Sequence, residues 1–95
     1  MQEMWADFRS ALQKQDVASA LECMHTKVRE LYQKILPEVL TSGTPISEIL
    51  PDIRFEHLLG GRANFEMVRT EPEGQISYLV EFELDIDGVW RLRFM

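Results

Sequence analysis

The sequence is poor in the residues that most often carry chemistry. It has one cysteine, Cys23, and two histidines, His25 and His57. A single cysteine excludes an internal disulfide and a thiolate metal cluster. Cys23 and His25 stand two apart, which on a helix puts them on different faces, so they make neither a metal pair nor a nucleophile and base. No apolar run approaches the ~20 residues needed to cross a bilayer, so no membrane span is expected. No glycine-rich phosphate loop is present, because Gly60-Gly61 lies between two strand patterns and reads as a turn. Lysine and arginine form no cluster, and the net charge is −6. Residues 1–41 carry six acids and five bases, and residues 42–95 carry ten acids and five bases. An acidic chain repels phosphate, so nucleic acid is not an expected partner.

Aromatic residues are spread along the whole 95-residue chain, from Trp5 to Phe94, which is the composition of one folded domain over residues 1–95. Met4, Trp5, Phe8, Ala11 and Leu12 fall on one helical face and predict a helix over about residues 2–14. Asp16 then reads as the cap of a second helix. Val17, Ala20, Leu21, Met24, Val28, Leu31, Tyr32, Ile35 and Val39 keep the 3.6 period, as one helix or two over residues 16–40. A break near His25 and Thr26 is favoured, because the β-branched Thr26 weakens a helix interior and suits a cap. Pro37 is expected to kink or end the helix. Thr44, Pro45 and Ile46 open one further short turn that closes before Pro51.

From Arg54 the period changes to two. Directly opposed residues of a sheet share a face, so parity sets the registers. A three-residue loop, 86–88, opposes Leu84 to Trp90 and Phe82 to Leu92, with Glu83 opposite Arg91 and Glu81 opposite Arg93. The same rule predicts a loop over 60–62, with His57 opposite Phe65 and Phe55 opposite Met67. The expected fold class is α+β, two to three N-terminal helices packed on a curved four-stranded antiparallel meander.

Two stretches sharpen this. Phe8-Arg9-Ser10-Ala11-Leu12-Gln13-Lys14-Gln15-Asp16-Val17-Ala18-Ser19-Ala20-Leu21 and Tyr78-Leu79-Val80-Glu81-Phe82-Glu83-Leu84-Asp85-Ile86-Asp87-Gly88-Val89-Trp90-Arg91-Leu92 resemble the opening helices and closing hairpin of the cystatin-like and nuclear transport factor 2-like (SnoaL-like) superfamily. The resemblance implies a sheet curved into a cone, and its nearest likeness is to short bacterial modules of unknown function. Fold does not supply function. Enzymes of that superfamily place an Asp or His base in an apolar cone, which makes His57 the weak catalytic candidate. Tyr32, Phe55, His57, Phe65, Tyr78 and Trp90 are then the candidate ligand-binding wall. Asp16, Asp85 and Asp87 read as cap and turn residues, and Glu66, Glu81 and Glu83 as outward-facing by parity.

The expected function is a non-catalytic binding or accessory module for a small apolar ligand or a protein partner. The alternative is a small cofactor-free lyase or isomerase using His57. No cofactor is expected. Val68, Leu79, Glu81 and Arg93 mark the outer sheet face as a candidate homodimer surface. The polar N-terminus gives no signal-peptide pattern, so a cytoplasmic home is expected, with the mature part of an exported protein or lipoprotein as the alternative.

Overall fold

The computed structural model describes residues 1–95. Four helices come first: α1 over Gln2–Gln13, α2 over Val17–Glu22, α3 over Arg29–Thr41 and the single turn α4 over Ile46–Ile49. Four strands follow: β1 over Ile53–Leu59, β2 over Arg62–Glu71, β3 over Gly74–Leu84 and β4 over Trp90–Phe94. The strands form one antiparallel sheet in the order β1-β2-β3-β4. This is the expected α+β arrangement, and the sheet is curved and not closed.

The helical period of residues 17–39 is broken where expected. Asp16 caps α2, its carboxylate accepting from Ser19 N at 3.1 Å. The chain leaves that helix at Cys23, and a 3-10 turn over Thr26–Val28 leads into α3. The capping side chain of that turn is His25, not Thr26: His25 Nδ1 accepts from Lys27 N. Pro37 does not end α3, which continues to Thr41. A proline removes one backbone donor, and the apolar side chains packed along the helix outweigh that loss.

Two registers depart from simple parity. The β1–β2 turn holds only Gly60 and Gly61, so Leu59 faces Arg62 and Leu58 faces Ala63. Gly60, at φ +61°, supplies the left-handed residue that this tight turn needs. A bulge at Glu56 then adds one residue, so that Phe55 faces Phe65 and His57 faces Asn64. His57 therefore stands opposite Asn64 and not Phe65, because the bulge shifts the count by one. In the last hairpin, Leu84 faces Trp90, Glu83 faces Arg91 and Phe82 faces Leu92 as expected. Beyond that point a second irregularity brings Phe94, not Arg93, opposite Glu81.

The helices cover one face of the sheet. Ala63, Phe65, Met67, Val80, Phe82 and Leu92 from the strands join Trp5, Phe8, Leu12, Met24 and Leu36 from the helical half in one buried core. The Phe65 and Phe82 rings meet edge to face at 5.4 Å. The two sheet edges differ. Residues 23–25 run beside β4, with Leu92 N donating to Cys23 O at 2.9 Å and His25 N donating to Leu92 O at 2.7 Å. At the opposite edge, every residue of β1 after Ile53 is exposed.

Candidate functional site

The residues expected to line a cone do not converge. His57 is exposed, and its Nε2 lies 3.0 Å from Asn64 Nδ2. Tyr32 and Phe65 are buried in the core, and burial pushes the Tyr32 hydroxyl above its ordinary pKa. Phe55 is half-exposed with its ring edge-on to Phe65 at 5.4 Å, the one pair among the six that meets as an aromatic contact. Tyr78 is half-buried and donates to Glu71 Oε1 at 2.6 Å, and Trp90 is half-buried opposite Leu84. None of the four surface concavities is lined by any of these six side chains. On the outer sheet face Val68 and Leu79 are exposed, while Glu81 and Arg93 are half-buried. Cys23 is buried, and that burial raises its thiol, which keeps it protonated and unreactive. No group of three His, Cys, Asp or Glu side chains is placed to hold a metal ion.

The structure brings a different set together. His25 is 2% exposed. Its Nδ1 accepts from Lys27 N at 3.1 Å, so the ring proton sits on Nε2. That nitrogen faces Glu83 Oε2 at 3.1 Å and Asp85 Oδ1 at 3.6 Å. Glu83 and Asp85 are themselves buried, although parity and turn chemistry assign both to the surface. The reason is the segment 23–28, which folds over this end of the sheet and covers them.

Each carboxylate is compensated. Asp85 accepts from Thr26 N, Thr26 Oγ1, Ile86 N and Arg91 Nη1, at 2.6 to 3.1 Å. Burial alone would raise its carboxyl, but these bonds hold it far below the usual carboxylate range. Glu83 accepts from Lys27 Nζ at 3.1 Å and Arg62 Nε at 3.2 Å. Burial again acts to raise it, and the nearby cations win, so it too lies below its ordinary value. Asp87 is exposed and is lowered by the Arg91 guanidinium, 2.7 Å away. Three carboxylates thus meet four cationic side chains, Lys27, Arg62, Arg91 and Arg93, around the His25 imidazole. Both His25 nitrogens are engaged, and no carboxylate here is left free to take a proton from a substrate. The cluster is a tie, not a general base.

What it ties is the β3–β4 hairpin. Asp85 N donates to Val89 O and Gly88 N to Asp85 O, closing the turn over Ile86, Asp87 and Gly88. Gly88 takes φ +81°, as the residue ending such a turn must. Arg91 clamps both ends of the turn through Asp85 and Asp87, and its Nε donates to Glu22 O at 3.1 Å. Held at the apex, Ile86 is 95% exposed.

The neighbouring β1–β2 turn lies against this hairpin, with Leu84 N donating to Gly61 O at 2.9 Å. Leu84 and Val89, which flank Ile86 in the last hairpin, are exposed, and so are Leu58 and Leu59 at the end of β1 next to the β1–β2 turn, Leu59 at 76%. Five aliphatic side chains therefore stand in water at this end of the sheet, on the two hairpins, and the polar cluster fixes the one that carries Ile86.

No protein-family model matches the chain, and no curated protein and no solved structure shows significant similarity to it. Geometry alone points to a site. By sequence the last turn reads only as a connection between β3 and β4. One signal was available: isoleucine between two aspartates in a turn is an expensive choice unless the apex has a use.

Proposed function

We propose that this chain is a non-catalytic binding module that docks on another protein through its paired hairpin tips. The observation that carries this reading is Ile86, almost fully exposed on a turn held by Asp85, Asp87 and Arg91, with Leu84 and Val89 exposed in the same hairpin and Leu58 and Leu59 exposed beside the adjoining β1–β2 turn. An isoleucine on a rigid apex loses little conformational freedom on binding, so its burial is retained as affinity. The apex projects outward, whereas a small ligand needs a concave wall. The fitting occupant is therefore a protein surface with an apolar socket. The net charge of −6 supports a partner other than nucleic acid. A place among the short cystatin-like or nuclear transport factor 2-like modules, and a cytoplasmic home, remain part of this proposal.

Photo-crosslinking in the source cell tests the reading. A photoreactive residue at position 86 should give a discrete adduct that a control at Gln75, near the start of β3 at the other end of the sheet, does not. The adduct should disappear when Leu58 and Leu84 are replaced by aspartate. Equal labelling from both positions, or turnover of an added substrate that depends on His57, would overturn it.

A further inference from the structure

We propose that two copies of this chain join through their β1 strands into one continuous antiparallel sheet. This inference rests on the sheet edges and not on the hairpin-tip reading.

An uncovered edge strand presents unpaired N–H and C=O groups to any strand that approaches it. The sheet has two edges, and they are not equivalent. Residues 23–25 already hydrogen-bond along β4 at Leu92 and block that side. On β1, helix α1 reaches only the start of the strand, where Gln2 Nε2 donates to Ile53 O at 3.2 Å. From Arg54 to Leu59 the strand is exposed and contains neither lysine nor proline, and the two charges it carries, Arg54 and Glu56, are of opposite sign and so can pair across a twofold axis. Its one irregularity is the bulge at Glu56. With β4 blocked, a head-to-tail chain of sheets is excluded. Edge pairing must be β1 to β1, which closes as a twofold dimer.

The sequence of β1 selects one register. A twofold antiparallel pair sets one residue on the axis, opposite itself. With Arg54 or Glu56 there, like charges would face each other. With His57 there, Glu56 would face Leu58 of the second copy. With Phe55 on the axis, Arg54 faces Glu56 of the second copy, and the same pair forms again by symmetry. Glu56 makes no ion pair within its own chain, so its carboxylate is free for this contact, whereas Arg54 already holds Glu66. The Phe55 ring ends a row of edge-to-face contacts, Phe55 to Phe65 to Phe82, each at 5.4 Å. On the axis it would meet its own copy and carry that row across the interface. Because the strands run antiparallel, the dimer would display its two hairpin tips at opposite ends.

Sedimentation equilibrium from about 1 µM to about 1 mM tests this. The wild-type chain should show a monomer–dimer equilibrium. R54E and E56R alone should each raise the dissociation constant at least tenfold, since each sets like charges opposite one another. Mixed in equal amounts, the two variants should form a heterodimer, because the double-acidic edge then faces the double-basic edge. E56R disturbs no contact of the folded chain, so it decides the matter even if R54E, which loses Glu66, folds poorly. A wild-type chain that stays monomeric throughout would overturn the proposal. So would a dimer indifferent to E56R, or one abolished instead by Leu79→Glu on the outer face. I86D should leave the mass unchanged, which separates this result from failure of the hairpin-tip reading.

Discussion

His25 Nε2 and Glu83 Oε2 lie 3.1 Å apart, a buried bond joining the turn that follows α2 to the outer face of β3. Its other ring nitrogen caps the 3-10 turn, so one imidazole holds two elements in place. His25→Ala should destabilise the fold by about 2–4 kcal/mol, through a cavity and an unpaired Lys27 N–H. His57→Ala, at an exposed position, should stay within about 0.5 kcal/mol. Urea unfolding of both variants checks the contrast. A large loss for His57 and none for His25 would reverse the roles assigned to the two histidines.

The acid limb of stability should belong to Glu83 and Asp85. Both carboxyls lie below their ordinary values in the folded chain, Asp85 far below. A carboxyl lowered on folding stabilises the native state above its unfolded pKa and loses that contribution as pH falls through the folded value. Stability should therefore fall steeply below about pH 4. Asp85→Asn should lower stability at pH 7 and flatten the slope below pH 4. Unfolding curves at successive pH values measure both effects.

The elements were legible because their periods are clean. Trp5, Phe8 and Leu12 mark one helix, and Phe82 and Leu92 alternate with Glu83 and Arg91 as a half-buried hairpin must. The three-residue turn is legible because it sets the apolar Leu84, and not the charged Asp85, opposite Trp90. The bulge at Glu56 was not legible, because an extra residue on an exposed edge leaves no mark in composition, and it moved His57 to the other partner. The burial of Glu83 and Asp85 escaped for another reason. Parity describes a sheet by itself, and it cannot see the segment 23–28 arriving from elsewhere in the chain to lie over one end. His25, read beside Cys23 as half of a failed metal pair, becomes the centre of the cluster only once that segment is in place.

Gly88 is the point at which the last hairpin depends on backbone freedom. At φ +81° a Cβ is strained even though nothing lies within 4 Å of it. Gly88→Ala should cost about 1–2 kcal/mol, and Gly88→Asn less, since asparagine tolerates the left-handed region better. Thermal unfolding distinguishes the two. Equal losses would point to a crowded site in place of a strained backbone.

Ile86→Asp separates folding from binding. The side chain is 95% exposed and lies outside the core, so its replacement should leave stability within about 0.5 kcal/mol. The adjacent bonds are made by Ile86 N and by the Asp85 and Asp87 side chains, and the substitution keeps all of them. A carboxylate driven into an apolar socket, by contrast, carries a desolvation cost large enough to abolish docking. The crosslinked adduct should therefore vanish, with the photoreactive group moved to position 89, while the melting curve stays in place. If the curve moves by several degrees, the apex is a structural element. If the adduct survives, the partner contacts another part of the surface, and Leu59 would lose its place in the site.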